Sequence, residues 1–380
     1  MSKIIISCAP RVTSYVLQEL KELGYHGKIT NQLGVEMMGS MRDAMKLNLH
    51  LRTASKVLLQ IKSFNASTPD ELYQNLINIP WERTIPSTGY LRIESFVKNN
   101  KILDTRFANL KTKDAIVDRI MKQKGRRPNS GPKVDRTVVF LHWINNDVGI
   151  FINTSGDTIS KHGYRKIPFK APMMESLAAA TILASEWNRT SHFINPMCGS
   201  GTLAIEAALI ACSISPGTFR KNFGFMHVRS YDEFIWSKLV KESHAHIRRR
   251  LDFKIIATDI DPKAIDAAKR NAEAAGVAEL IDFKVCDFRK TYIPKGKGVV
   301  FFNPEYGERL GVEKELEDVY RSIGDFFKQK CAGYMGYIFT GNMNLAKRVG
   351  LKTKRKIEFF NAKIDSRLLE YELYDGTKKG

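Results

Sequence analysis

The chain has 380 residues, 43% of them hydrophobic and 10% aromatic, which excludes a disordered polyelectrolyte and leaves room for two or three domains with cores of their own. The 60 Lys+Arg outnumber the 40 Asp+Glu and leave a net charge of +20, a self-repulsion usually kept for a polyanionic partner, so nucleic acid is the partner expected. No stretch approaches the roughly 20 apolar residues that span a bilayer, and the N-terminal apolar run is too short for a signal peptide, so a cytoplasmic protein is expected.

Ile4-Ile5-Ile6 predicts a first strand, and Thr13 to Leu23 a helix with Val16, Leu17, Leu20 and Leu23 on one face, stopped near Gly24. Met41 to His50 predicts a second helix and Lys56 to Ile61 a strong strand. Pro69-Asp70-Glu71 marks the first turn of a helix from Thr68 to Ile79. Tyr90 to Val97 alternates with period two, Asp114 to Lys122 reads as a basic helix, and Thr137 to Trp143 and Gly149 to Asn153 read as strands. These elements make an α+β module ending near residue 155, with no catalytic cluster in it. Between Gly125 and Lys133 two glycines and two prolines forbid regular structure and leave an exposed basic loop. Its Arg126 and Arg127, with Lys111, Lys113, Arg119, Lys122 and Lys124 just upstream, are the expected nucleic-acid face.

Residues 156–170 read as a linker, after which strand and helix signals alternate. Phe193-Ile194 leads through a turn into a long Ala/Leu/Ile helix, and Ile255-Ile256-Ala257 leads into a helix through Ala275. Phe283 to Val285 and Val299 to Phe302 are further strands, followed by a helix from Glu313 and a strand from Tyr334 to Phe339. Such alternation implies a parallel sheet covered on both faces. Arg355–Phe360 and Leu368–Leu373 predict an antiparallel hairpin at its edge. The five cysteines (Cys8, Cys198, Cys212, Cys286, Cys331) have apolar neighbours and no C-x-x-C pairing, so free buried thiols and no metal site are expected.

Chemistry-bearing residues gather at the ends of these strands. Asn303-Pro304-Glu305-Tyr306 follows a buried strand and offers an amide oxygen, a free carbonyl and an aromatic ring together. That set suits a planar exocyclic amine: two acceptors for its hydrogens and a face for its ring. Asn195-Pro196-Met197-Cys198-Gly199-Ser200-Gly201-Thr202 lies where strand gives way to helix, and glycines there let backbone approach a ligand. Only G-x-G is present, which argues against a dinucleotide. Asp259 ends the next strand, where a carboxylate can accept from both hydroxyls of a ribose. Asp261 is the second choice, because it is also placed to cap the helix opened by Pro262. Asp287, ending the third strand, is a candidate acceptor for an adenine amine, its alternative being a surface turn residue. A cytosine-C5 reaction would want a cysteine nucleophile beside Asn303, and none is there.

This set resembles the class I S-adenosylmethionine-dependent methyltransferases. The longer strings Asn303–Gly311, Thr154-Ser155-Gly156, His162-Gly163-Tyr164-Arg165 and Ala171–Ala180, with Cys8–Arg11 and Leu51–Leu59, narrow the likeness. Over almost the whole chain it resembles the THUMP-domain RNA guanine-N2 methyltransferases, the large-subunit ribosomal RNA methyltransferase L type. The resemblance implies a ferredoxin-like region over 1–60 and a THUMP RNA-binding domain over 61–155. It further implies a Rossmann-like methyltransferase domain with a mostly parallel seven-stranded sheet over 171–380. It places S-adenosylmethionine against Asn195, Met197, Cys198, Gly199, Gly201, Thr202, Asp259, Ile260, Asp261, Asp287, Phe288, Asn303 and Glu175. Asn303, Pro304 and Tyr306 become the catalytic residues, and Glu305 and Arg165 join Lys111, Lys113, Arg126 and Arg127 toward RNA. Relatives include one with a second methyltransferase fused downstream, so this chain would carry the first activity alone.

Two departures stand out. The family usually has an acidic residue at Asn195 and a second proline at Glu305. Asn195 still hydrogen-bonds without supplying charge, and Glu305 adds a carboxylate that can accept from a guanine N1–H or face solvent. The alternatives are a transfer-RNA guanine-N2 methyltransferase, a DNA adenine-N6 methyltransferase, since Asn-Pro-x-Tyr serves that amine too, and an idle RNA-binding ribosome-assembly factor.

Overall fold

The computed structural model describes residues 1–30, 34–99, 104–169, 172–306 and 313–374, and the chain divides into two compact units. The first collects 1–8, 16–159 and 220–242; the second takes 9–15, 160–219 and 243 onward. Ala171 and residues 307–311, part of the motifs quoted above, lie outside the described residues.

In the first unit β1 (Ser2–Cys8), β2 (Lys28–Thr30), β3 (Gly34–Gly39), β4 (Ala54–Asn65), β5 (Tyr90–Lys98), β6 (Asn129–Ser130), β7 (Thr137–Ile144) and β8 (Asp147–Asn153) form one sheet. Its order is β2-β3-β1-β4-β8-β7-β5-β6. Helices α1 (Thr13–Glu22) and α2 (Met41–His50) contribute to a core around Ile4, Ile6, Leu20, Leu47 and Val57. Helices α3 (Pro69–Ile77) and α4 (Thr105–Lys124) pack on Leu91, Leu141 and Trp143. Asn48 reaches across this unit, donating to Thr154 Oγ1 at 2.9 Å and accepting from Ser155 Oγ at 2.6 Å, which accounts for the Thr-Ser-Gly string as a packing device.

Local chemistry sets the helix ends. Thr68 Oγ1 accepts from the Glu71 N–H at 3.2 Å and Pro69 opens α3. Thr68→Ala is expected to lower unfolding stability by about 1 kcal/mol, read as a shifted denaturation midpoint with the slope unchanged. Helix α4 starts well before the Asp114 expected from the sequence because Asp104 caps it, accepting from the Arg106 N–H at 2.8 Å. It runs on to Lys124, past the expected end at Lys122, and Gly125, with a φ of 64°, closes the last turn.

The second unit is doubly wound. After α5 (Glu175–Ala184) come β9 (His192–Pro196), α6 (Thr202–Ala211), α7 (Glu233–Ala245, which straddles the division), β10 (Ile255–Asp259), α8 (Pro262–Ala274), β11 (Ile281–Val285) and β12 (Gly298–Phe302). Then follow α9 (Glu313–Lys330), β13 (Met335–Thr340), α10 (Met343–Lys347), β14 (Arg355–Asn361) and β15 (Ile364–Glu372). The seven strands lie in the order β11-β10-β9-β12-β13-β15-β14. β9 to β13 are mutually parallel, and the β14–β15 hairpin closes the edge antiparallel, as its charged pattern predicted. Every residue of β12 is buried, the continuous apolar run of a strand covered on both faces. The order reverses between β9 and β12, so their carboxyl ends open a crevice there. No helix among the described residues is long and apolar enough to cross a membrane.

Candidate active site

A cavity of about 640 Å³ occupies that crevice. Its wall takes Asn195 to Ser200 (Pro196 excepted), Thr202, Asp259 to Asp261, Asp287 to Arg289 and Asn303 to Glu305, with Phe169, Pro172, Met173 and Leu316 closing it. Strand-end residues scattered along the sequence thus converge on one volume.

The turn after β9 is held by its neighbours. Met197, Gly199 and Gly201 all have positive φ, and a Cβ on Gly199 would meet nothing within 4 Å, so bare backbone faces the cavity there. Gly201 differs, since it is absent from the wall and a Cβ would sit 2.8 Å from the Ala268 Cβ on α8. Gly201→Val is therefore expected to destabilise the protein by about 1–3 kcal/mol through overpacking, and to weaken methyl-donor binding, both read in one thermal-shift titration. Asp259 ties the turn to β10: its Oδ2 accepts from the Gly199 N–H at 2.9 Å and its Oδ1 from the Asp261 N–H at 3.0 Å. Asp261 caps α8, accepting from the Lys263 N–H at 2.9 Å. Ile260 between them is 70% exposed, an apolar side chain left open at the cavity rim.

Asp287 accepts from Arg289, whose guanidinium holds its carboxyl below the usual carboxylate range. Phe288 packs edge-on against Phe302 and Phe326 with centroids 5.6 and 6.0 Å away. Burial pushes the Cys198 thiol well above its ordinary range, so it stays a packed thiol. Among the described residues, the charged groups on the wall are Asp259, Asp261, Asp287, Glu305 and Asp318 against Arg289, an acidic hollow in a chain of net charge +20.

Two buried amide oxygens face this hollow with no hydrogen-bond partner among the described residues, Asn195 Oδ1 and Asn303 Oδ1. The Asn195 amide nitrogen donates to the Phe301 carbonyl at 2.8 Å, a bond a carboxylate at this position could not make. The substitution thereby links the glycine turn to the strand that carries Asn303.

Not every expected residue reaches the wall. Tyr306 lies beside it, its ring against Gly341 and its hydroxyl bonded by Asn361 Nδ2 at 2.6 Å. Arg165, expected toward RNA, is instead largely buried: it bonds the Met173 carbonyl and Thr202 Oγ1 and lies 3.4 Å from the buried Glu175. Both brace the wall from behind, because burying a guanidinium requires partners and Glu175 is one. Lys111 and Lys113 are spent on Asp70 at 3.3 Å and Asp114 at 2.8 Å, and Arg119 on Glu82 at 3.0 Å. Lys122, Lys124, Arg126 and Arg127 remain exposed and carry the basic face.

Sequence reasoning missed Asn271. Fully buried in α8, it accepts from the Lys166 and Ile167 N–H groups at 2.8 and 2.9 Å and donates to the Ser200 carbonyl at 3.2 Å. It thus fastens the segment before Phe169 to the glycine turn. Its signal was a polar residue on the helix face otherwise made of Ala264, Ile265, Ala267, Ala268 and Ala272.

A family model described as the RMKL-like methyltransferase domain matches residues 162–370. The chain belongs to the RMKL-like methyltransferase family. Models of the RlmL ferredoxin-like domain and the THUMP domain match residues 3–58 and 66–153. The Ribosomal RNA large subunit methyltransferase K/L of Syntrophotalea carbinolica is 34% identical over 378 residues, covering 96% of this chain and 53% of that protein. The chain thus spans about half the length of the curated relatives it matches. Among solved structures, a candidate methyltransferase complexed with SAH is 27% identical with TM-score 0.87, covering 100% of this chain and 99% of that one. A protein from Listeria monocytogenes, described as a predicted N6-adenine-specific DNA methylase, is 29% identical with TM-score 0.88, covering 97% and 95%.

This RMKL-like domain is a class I fold of the S-adenosylmethionine-dependent kind, and its cavity fits that donor on physical grounds. An acidic wall favours a molecule carrying sulfonium and ammonium charges. The open backbone at Gly199 and the exposed Ile260 leave room for a polar tail and a flat apolar ring.

Proposed function

We propose that the chain methylates the exocyclic N2 amine of a guanosine in large-subunit ribosomal RNA, in the cytoplasm. The observation that carries this reading is the buried Asn303 Oδ1 with no hydrogen-bond partner among the described residues, next to Pro304 on the cavity wall. A buried acceptor left unsatisfied costs about 1–3 kcal/mol, and an amine hydrogen would remove that cost.

Bound in the cavity, S-adenosylmethionine supplies a methyl group on a positively charged sulfur, already a good leaving group. The chain's own work is then positioning, which contributes on the order of 7–11 kcal/mol in the best cases. Asn195, Gly199, Asp259, Ile260 and Asp287 would hold the donor, with Asp259 facing the ribose hydroxyls. Asn303 Oδ1 and the Pro304 carbonyl would accept the two amine hydrogens. The nitrogen lone pair, otherwise delocalised into the guanine ring, is then turned toward the methyl. Tyr306, steadied by Gly341 and Asn361, would offer its ring to the base, a contact worth about 1–3 kcal/mol. An acidic hollow repels phosphate, so the base enters while its backbone stays outside, as base extrusion requires. The THUMP match and the exposed Lys122, Lys124, Arg126 and Arg127 support RNA as the polymer.

Adenine-N6 of DNA is the second reading, favoured by the description of the Listeria neighbour. Labelled S-adenosylmethionine offered with unmodified large-subunit RNA, transfer RNA or DNA, followed by nucleoside analysis, separates them. N2-methylguanosine in the ribosomal RNA is the expected product. N6-methyladenine in DNA would overturn the assignment, and failure even to bind the methyl donor would leave an RNA-binding assembly factor.

A further inference from the structure

The sheet edge opposite the cavity carries a second concentration of positive charge. β9, β10 and β12 all run toward the cavity, so their first residues lie at the far edge, about 17 Å away for strands this short. His192, Lys254 and Lys297 meet there: the Lys254 N–H donates to His192 Nδ1 at 2.9 Å, and the His192 N–H donates to the Lys297 carbonyl at 3.2 Å. Arg248 is fixed at the same edge, its N–H on the carbonyl of Cys212 at 2.9 Å, where α6 ends after leaving the glycine turn. Arg248, Arg249 and Arg250 are all exposed, and no ion pair joins them to an acid among the described residues. Lys254 is itself paired with Asp282 at 3.3 Å, and most lysines and arginines of α4 have acidic partners, unlike these three arginines. Lys295 and Lys297 are exposed too, and Tyr292, shortly before them in the chain, is 60% exposed with Lys254 Nζ 6.0 Å from its ring centre.

Three adjacent unpaired guanidinium groups repel one another and favour a polyanion. An exposed aromatic ring among lysines adds what an acidic protein surface would not need and a nucleic acid would use, a face on which a base can stack. We propose that this far edge is a second RNA-contact surface. Arg248, Arg249, Arg250, Lys295 and Lys297 take phosphates and Tyr292 takes a base, from RNA that flanks the methylated nucleotide. The inference rests on the RNA reading above and deepens it. A nucleotide in the cavity cannot also reach the far edge, so the substrate is an extended RNA that passes around this unit, and an isolated short hairpin is a poor one.

The test compares R248Q/R249Q/R250Q with K263Q/K269Q/R270Q, an equal loss of charge on the exposed face of α8. Binding to an unmodified large-subunit RNA transcript is measured across a salt series, alongside methyl-transfer kinetics. The arginine variant is expected to bind about ten- to a hundredfold more weakly near physiological salt and to flatten the log–log salt slope by about 2–3. Its KM for the transcript rises, while kcat and methyl-donor affinity stay unchanged. Tyr292→Ala is expected to weaken binding by about tenfold with the slope preserved. Equal effects of the two triple variants, or an unchanged slope, would overturn the second surface. An unaltered affinity in Tyr292→Ala would remove the base contact. A wild-type protein that does not bind the transcript at all would instead overturn the RNA reading itself.

Discussion

Asn303→Ala is expected to slow methyl transfer on the order of 10²–10³-fold, the cost typical of losing one pre-aimed hydrogen-bonding group at a reacting centre. The loss should appear in kcat, measured by single-turnover transfer, with methyl-donor affinity and RNA affinity nearly unchanged. The reason lies in what Asn303 does when no substrate is bound: its Oδ1 is buried and bonds nothing among the described residues. Removing it breaks no hydrogen bond to the described residues through that oxygen, so the fold has little to lose. What disappears is an acceptor for an amine hydrogen, made useful only once the base arrives. Asn303→Asp keeps an acceptor in place and adds charge, and should retain more activity than the alanine variant. Turnover preserved in Asn303→Ala would sink the role assigned to this side chain.

The same comparison shows why parts of this site were readable in the sequence and others were not. Asn303–Tyr306, the glycine turn and Asp259 announce themselves locally, because each sits where a buried strand must stop and change direction. Asp261 was readable as a cap from Pro262 after it, and the capping bond is there. The β14–β15 hairpin was readable from charge alternation along an edge. Partnership across the fold leaves no such local mark. Arg165 and Lys111 look like free cations in one dimension, and only the packing supplies Glu175 and Asp70 as their neighbours. Arg289, which engages Asp287, was invisible for the same reason. Residues 220–242 fall inside the methyltransferase span of 171–380 expected from the sequence, yet they cluster with the first unit, where Phe223 and Phe225 join the core around Ile4 and Leu20. Asn271 went unread, its one local mark being a polar break in an apolar helix face. Its task, bonding Lys166, Ile167 and Ser200 at once, depends on three segments meeting.

The acidic cavity and the basic exterior divide the recognition problem. On the proposed reading, a phosphodiester chain would be drawn to Lys122, Lys124, Arg126, Arg127 and the arginines at the far sheet edge, and kept out of a hollow to whose wall the described residues bring five carboxylates. A neutral base and a cationic methyl donor suffer no such exclusion. Raising salt should therefore weaken RNA binding steeply while barely affecting the donor, since screening acts on the exposed charges first.

Asp259 carries the second large effect. Asp259→Ala is expected to weaken methyl-donor binding about a hundredfold, measured by calorimetric titration, and to lower the thermal midpoint as well. Both carboxylate oxygens are already in use, Oδ2 on the Gly199 N–H and Oδ1 on the Asp261 N–H, so the side chain holds the turn in addition to the ribose contact proposed for it. Bonds to an ionised group contribute about 1.5–3 kcal/mol each, and the remaining lone pairs are free for ribose hydroxyls. Asp259→Asn tests this more sharply than alanine does. An amide has one oxygen, so one of the two backbone N–H groups would meet an NH₂ donor and lose its bond. The asparagine variant should therefore bind the donor nearly as poorly as the alanine variant, despite its matching size. If it instead binds like the wild type, the double acceptance seen at Asp259 is not what shapes the turn, and the ribose contact assigned to this carboxylate fails with it.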